Sequence, residues 1–238
     1  MIFSRLLLPF ILSVPLLLAG CGASMKARIE ACKAGDWHQI GRTDGFEGAP
    51  ADYVGRKDFC DDHGDEKKPA LIDAAARYTA GWEEGNRDLW YAAGSIDGAN
   101  GLRQSQFAVR AAADDIRKRK TPLNQRAYDD GWTRGNSQYW EGIGKREGTD
   151  GAPLSHKDAN HDQAAAAQLR FDEAAYTNGW HAGNRTFWQD TGANDASNGV
   201  PDSEFRVRAA NARDAGVRAR QPHVVRTACG RPSRGWLS

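Results

Sequence analysis

Between Tyr78 and Ile96 the apolar and small residues fall at Tyr78, Trp82, Gly85, Leu89, Ala92 and Ile96, stepping by four and three and so sharing one face of a helix. The spacing returns at Tyr128, Trp132, Gly135, Tyr139 and again at Tyr176, Trp180, Gly183, Phe187. Asp73-Ala-Ala-Ala76 and Asp172-Glu-Ala-Ala175 lead into two of these segments as helix N-termini would, with an acid at or near the cap. Second amphipathic stretches lie between them, at Phe107 to Ile116 and Phe205 to Arg213, with turn signals at Thr121-Pro122, Gly151-Ala-Pro153 and Gly199-Val-Pro201. The expected fold is mainly α, made of repeated helical-hairpin units with Gly-rich close packing. One such pair cannot bury its aromatic face alone, so neighbouring units supply the core. The alternative is a β-hairpin turning at Glu83-Glu-Gly-Asn86, which would give MORN-like repeats.

The three segments are near-copies with the pattern Tyr-x-x-Gly-Trp-x-x-Gly-Asn-x-x-aromatic/Leu-Trp, closing at Trp90, Trp140 and Trp188. The residues after each closing tryptophan also recur: Gly94, Asp97, Gly98 and Gly101, then Gly144, Glu147, Gly148 and Gly151, then Gly192, Asp195, Ala196 and Gly199. Trp37 with Gly41, Asp44, Gly45 and Gly48 opens an earlier copy, so the period is about 50 residues. Paired glycines within a helix cost about 1 kcal/mol each relative to alanine. Gly81/Gly85, Gly131/Gly135 and Gly179/Gly183 are therefore expected where a neighbouring backbone or a ring approaches closely. The organisation read from these repeats is a first unit over 32–72, a second over 73–121, a third over 122–171, a fourth over 172–220, and a basic tail over 221–238.

The chain opens with a cation at Arg5, an apolar run from Leu6 to Leu18 interrupted by Pro9 and Pro15, and then Leu18-Ala19-Gly20-Cys21. That is the pattern of a signal peptide over 1–20, since the run is too short for a bilayer span of about 20 apolar residues. Leu-Ala-Gly-Cys resembles the lipobox of bacterial lipoproteins, which implies acylation of Cys21 and a lipidated linker over 21–31. With Gly22 in place of an aspartate after the cysteine, the resemblance implies transport to the outer membrane, on its periplasmic side.

Charge is balanced, with Lys+Arg 32 against Asp+Glu 31, so no overall field recruits nucleic acid. The exception is the end of the chain, where eight arginines from Arg206 onward face the single Asp214. Three cysteines remain after Cys21 in an oxidising compartment. Cys32 and Cys60 bracket one segment and make the better pair, leaving Cys229, although the other pairings stay open. No Gly-x-Ser-x-Gly elbow, His-Glu-x-x-His or complete calcium loop occurs, so no catalytic residue, metal site or cofactor is expected. Asp158-Ala-Asn160-His-Asp162 imitates the start of a calcium loop, but Gln163 and Leu169 stand where glycine and glutamate belong.

Asn86, Asn136 and Asn184 recur beside Trp90, Trp140 and Trp188, an amide-plus-aromatic pairing of the kind sugar-binding surfaces use. These six are the candidate interaction residues, with cell-wall peptidoglycan or another envelope protein as partner. Repetition in every unit suits packing at least as well.

Around the first unit, Cys32-Lys-Ala-Gly-Asp36-Trp37, Gly41, Asp44-Gly45, Gly48, Phe59-Cys60 and Tyr78-x-x-Gly81-x-x-x-Gly85 resemble the DUF2799 family of bacterial lipoproteins over about residues 32–90. The resemblance implies a lipid-anchored envelope protein of no established biochemical activity. This chain departs from the family pattern in Leu89-Trp90, where a Tyr-Cys pair is usual, and in its further copies.

Overall fold

The computed structural model describes residues 21–63, 72–201 and 204. The expected signal peptide, the stretch from Phe205, the basic tail and Cys229 lie outside the described residues. The fold is mainly α. Among the described residues there are nine helices and no strand: α1 (Cys21–Ala34), α2 (Trp37–Phe46), α3 (Tyr53–His63), α4 (Ala74–Ala99), α5 (Gln106–Ala111), α6 (Asp114–Arg119), α7 (Gln125–Thr149), α8 (His156–Ala166) and α9 (Glu173–Ser197). Glu83 to Asn86, where a β-hairpin would turn, lie in the middle of α4. The stretch expected as a linker before Cys32 belongs to α1.

Helix ends obey local chemistry. Asp36, Asn124 and Asp172 cap α2, α7 and α9 by accepting the backbone N–H of Gln39, Ala127 and Ala175. At the other end the chain leaves α2, α4, α7 and α9 through Gly48, Gly101, Gly151 and Gly199, all at positive φ. In each case the next N–H bonds back to the carbonyl of the repeated acid: Ala49 to Asp44, Leu102 to Asp97, Ala152 to Glu147 and Val200 to Asp195. This six-to-one bond closes a Schellman motif and satisfies a carbonyl that the helix leaves open. The stretch Phe107 to Ile116, expected as one helix, is broken at Ala113, whose extended backbone separates α5 from α6.

The chain divides into two compact units, one ending at Asn86 and the other starting at Arg87. The division falls inside α4. In the first unit α2 packs on the first half of α4. A Cβ added to Gly41 would lie 2.0 Å from the Tyr78 carbonyl oxygen, and one on Gly81 would lie 1.9 Å from that of His38. Cys60, Ile40 and Tyr78 form the core there, and Cys32–Cys60 is a disulfide tying α1 to α3.

In the second unit the same contact occurs twice. Gly94 and Gly98 of α4 face Tyr128 and Trp132 of α7, while Gly131 and Gly135 of α7 face Tyr91 and Ser95 of α4. Gly144 and Gly148 of α7 face Tyr176 and Trp180 of α9, while Gly179 and Gly183 of α9 face Glu141 and Lys145 of α7. Residue numbers rise together on both partners, so the long helices meet running the same way. The expected hairpin partner of each long helix is instead a short connecting helix.

The buried residues of α4 are Ala74, Tyr78, Gly81, Gly85, Asn86, Trp90, Gly94, Asp97 and Gly98. Ile96, placed on the buried face by apolar spacing, is exposed. Glycine explains the difference, because removing the side chain lets the helix backbone itself be the contact surface. The Cα–H that replaces each missing Cβ points at the facing carbonyl, a weak contact contributing roughly 0.5–1 kcal/mol.

Candidate functional site

Carboxylates recur at the centre of the packing, at the positions just past the closing tryptophans. Asp44 is 3% exposed and Asp97 is 1% exposed. A buried carboxylate is tolerable only when paired and fully hydrogen-bonded, and each has the same kinds of partner. Tyr78 Oη donates to Asp44 Oδ2 at 2.9 Å, and the Arg56 guanidinium of α3 donates to both carboxylate oxygens, Nε at 2.8 Å. Tyr128 Oη donates to Asp97 Oδ2 at 2.7 Å, and Arg110 of α5 donates through Nε at 2.5 Å and Nη2 at 2.6 Å. In the third instance the acid is Glu147, which accepts from Tyr176 Oη at 2.5 Å. Asn160 of α8 takes the place of the arginine, donating Nδ2 at 3.1 and 3.2 Å.

These constellations tie three elements: the end of one long helix, the short helix after it, and the start of the next long helix. Electrostatics match that role. Burial pushes the Tyr78 hydroxyl up to about 12, reinforced by the nearby Asp44 carboxylate. Burial first, and the bond to Asp97 or Glu147 second, raise Tyr128 and Tyr176 as well. The bond to Asp97 likewise raises Arg110. Protons here are held in place at neutral pH, and the carboxylate oxygens already face donors.

The indoles complete the clamp. Trp82, Trp132 and Trp180 donate Nε1 to the carbonyls of Ala49, Leu102 and Ala152, just past the Schellman glycines, at 2.8, 2.8 and 2.9 Å. Trp90 donates to Pro122 O and Trp140 to Arg170 O, each at 2.9 Å, two residues ahead of the caps Asn124 and Asp172. Asn136 Nδ2 bonds that same Arg170 carbonyl at 3.0 Å. Ser137 adds a 2.6 Å bond to Asp172, and this bond is the main reason that carboxyl is held below its ordinary value.

Each candidate interaction residue therefore has a definite place. Asn86, Asn136 and Asn184 are 4%, 3% and 4% exposed, and Trp90, Trp140 and Trp188 are 1%, 4% and 6% exposed. All six are buried, and Trp90, Asn136 and Trp140 are the ones bonded to the backbone carbonyls described above. The imitation calcium segment Asp158 to Asp162 lies within α8, with Asn160 turned to Glu147. Cys32 and Cys60 are joined, and Cys21 opens α1. Sequence reading missed Arg56, Arg110 and Asn160. Their signal was the constant offset of about a dozen residues from Asp44, Asp97 and Glu147.

Comparison with known proteins finds no family model, no curated protein and no solved structure that matches this chain.

Proposed function

We propose that this is a lipid-anchored envelope protein, acylated on Cys21 and held at the periplasmic side of the outer membrane, whose helical part is a non-catalytic interaction or structural scaffold. One observation carries the compartment: the Cys32–Cys60 disulfide sits downstream of Leu18-Ala19-Gly20-Cys21. Structural disulfides form and persist outside the reducing cytosol, where a lipobox would deliver the chain. The scaffold reading draws support from where the chemistry has gone. Asp44, Asp97 and Glu147 are bonded to Tyr78, Tyr128 and Tyr176, and Asn136, Trp90 and Trp140 to backbone carbonyls. The recurring motif, seam and clamp are best described as one packing unit used repeatedly, each copy covering the face its predecessor leaves open.

Metabolic labelling with an alkyne palmitate, combined with mass spectrometry of the mature N-terminus, tests the assignment. The expected product begins at acylated Cys21 in the outer-membrane fraction, and Cys21→Ser abolishes labelling. An unmodified chain beginning at Met1 would refute it.

A further inference from the structure

The residue expected to carry the lipid opens a helix, and that helix is fixed to the first unit. Along α1, Cys21, Met25, Arg28 and Cys32 step by four, three and four, so they fall on one face. Arg28 on that face is paired with Glu47 at the end of α2, and Cys32 is bonded to Cys60 of α3. At about 1.5 Å per residue, Cys32 stands only about 16 Å along the axis from Cys21. An acyl-bearing residue so placed holds the first unit against a bilayer, where a flexible linker would let it stand off.

The side chains gathered around the Arg28–Glu47 pair are apolar and uncovered. Met25 lies one helical turn nearer Cys21 than Arg28 and is 45% exposed, and Phe46, which precedes Glu47, is 52% exposed. α3 starts at the same place, since Arg56 in its first turn reaches Asp44; Val54, two residues earlier, is 68% exposed. The core of the same unit covers its apolar groups far better, with Ile40 and Tyr78 at 5% and 1%. The two carboxylates of the connecting segment are engaged locally, Glu47 with Arg28 and Asp52 with the Gly55 N–H at 2.9 Å. That lowers the cost of bringing the segment close to hydrocarbon.

We propose that Met25, Phe46 and Val54 form a membrane-seating face, entering the interfacial layer of the bilayer beside the acylated Cys21 and fixing the first unit in one orientation. It rests on the reading that Cys21 carries lipid. The acyl chains keep this face at high local concentration near the bilayer surface, so side chains too few to bind a membrane alone are enough to orient a unit already tethered there.

The test supplies the tether chemically. The chain from Cys21, with Cys229→Ser, is coupled through Cys21 to a maleimide phospholipid in phosphatidylcholine vesicles that also contain a phospholipid with a diazirine in its acyl chain. Illumination and tryptic digestion then read which segments touch hydrocarbon. Adducts should concentrate in the peptide 43–56, which holds Phe46 and Val54, and be absent from 34–42, at the far turn of the same unit. In the variant Phe46→Ser with Val54→Ser, both at exposed positions, adducts in 43–56 should fall about tenfold while helicity and melting stay at parental values. Equal labelling of the two peptides, or adducts confined to residues before Arg28, overturns the proposal and leaves the lipid as a simple tether. An untethered chain that dimerises, with the dimer lost in the same variant, overturns it in favour of a second copy as the occupant. Failure of Cys21 acylation in cells refutes the function proposed above and leaves the vesicle measurement standing, because the tether there is supplied.

Discussion

Gly142 and Gly144 are two residues apart on α7, and the same substitution at each should change stability in opposite directions. At Gly142 an added Cβ meets nothing within 4 Å. Alanine there removes the entropic penalty of a helical glycine, so Gly142→Ala should stabilise by up to about 1 kcal/mol. At Gly144 the new Cβ would lie 2.0 Å from Tyr176 O and 2.9 Å from Trp180 N. Those atoms are backbone, fixed within the hydrogen-bonded first half of α9, so no side chain can turn away. Ordinary contact needs about 3.5 Å between such atoms, so α7 and α9 must separate by more than 1 Å locally. That movement loosens the neighbouring glycine contacts and the Tyr176–Glu147 bond. Overpacking a well-packed contact costs about 1–3 kcal/mol, and a rigid backbone obstacle places this case at or above the upper end. After the helix-propensity gain, a net loss of about 2 kcal/mol or more is expected. Urea denaturation monitored by tryptophan fluorescence and circular dichroism measures both variants against the parent. If Gly144→Ala proved as stable as Gly142→Ala, the parallel glycine seam would not be what holds α7 to α9.

Three further predictions concern the buried acids, their tyrosines and the disulfide. Arg56→Gln should lose about 3 kcal/mol in the first unit, because it strands a carboxylate that is 3% exposed, whereas Asn160→Ala should lose only about 1 kcal/mol; chemical denaturation compares them. Tyr78, Tyr128 and Tyr176 are all raised above the ordinary value of 10.0 in the folded chain. Their contribution to stability is therefore complete below pH 10 and is lost as pH rises above about 10, for Tyr78 through about 12 and for Tyr128 and Tyr176 higher still. Ultraviolet titration should accordingly find three of the six tyrosines ionising only with unfolding, and smooth ionisation of all six near pH 10 would contradict the clamp. Replacing both Cys32 and Cys60 with serine opens a loop with a sequence separation of 28, which should cost the first unit about 3.5 kcal/mol. Limited proteolysis should then cut first within residues 21–63, and an unchanged cleavage pattern would show that the bridge contributes little.

Much of this was legible in the chain. Period-3.6 spacing determined that the segments are helices, since Tyr78, Trp82 and Gly85 share a face in no other regular structure. Asp172 marked its helix start by a local rule: an acid ahead of an alanine run accepts N–H groups that the helix leaves open. The glycine pairs announced close backbone approach, as at Gly94 against Tyr128 and Gly144 against Tyr176.

Tertiary structure alone decided who approaches whom. Glycines at spacing four occur in both halves of α4 and α7, and nothing local says that the second half of one helix meets the first half of the next, running the same way. The choice depends on carbonyl oxygens tens of residues distant in sequence, such as Tyr128 O against Gly94. Partners of the buried acids were hidden for the same reason, because an arginine on a short connecting helix looks solvent-facing until the fold turns it onto Asp44 or Asp97. Amide beside indole is chemically equally suited to a sugar or to a helix end, and only the tertiary structure shows that Asn136 and Trp140 meet at one carbonyl, that of Arg170.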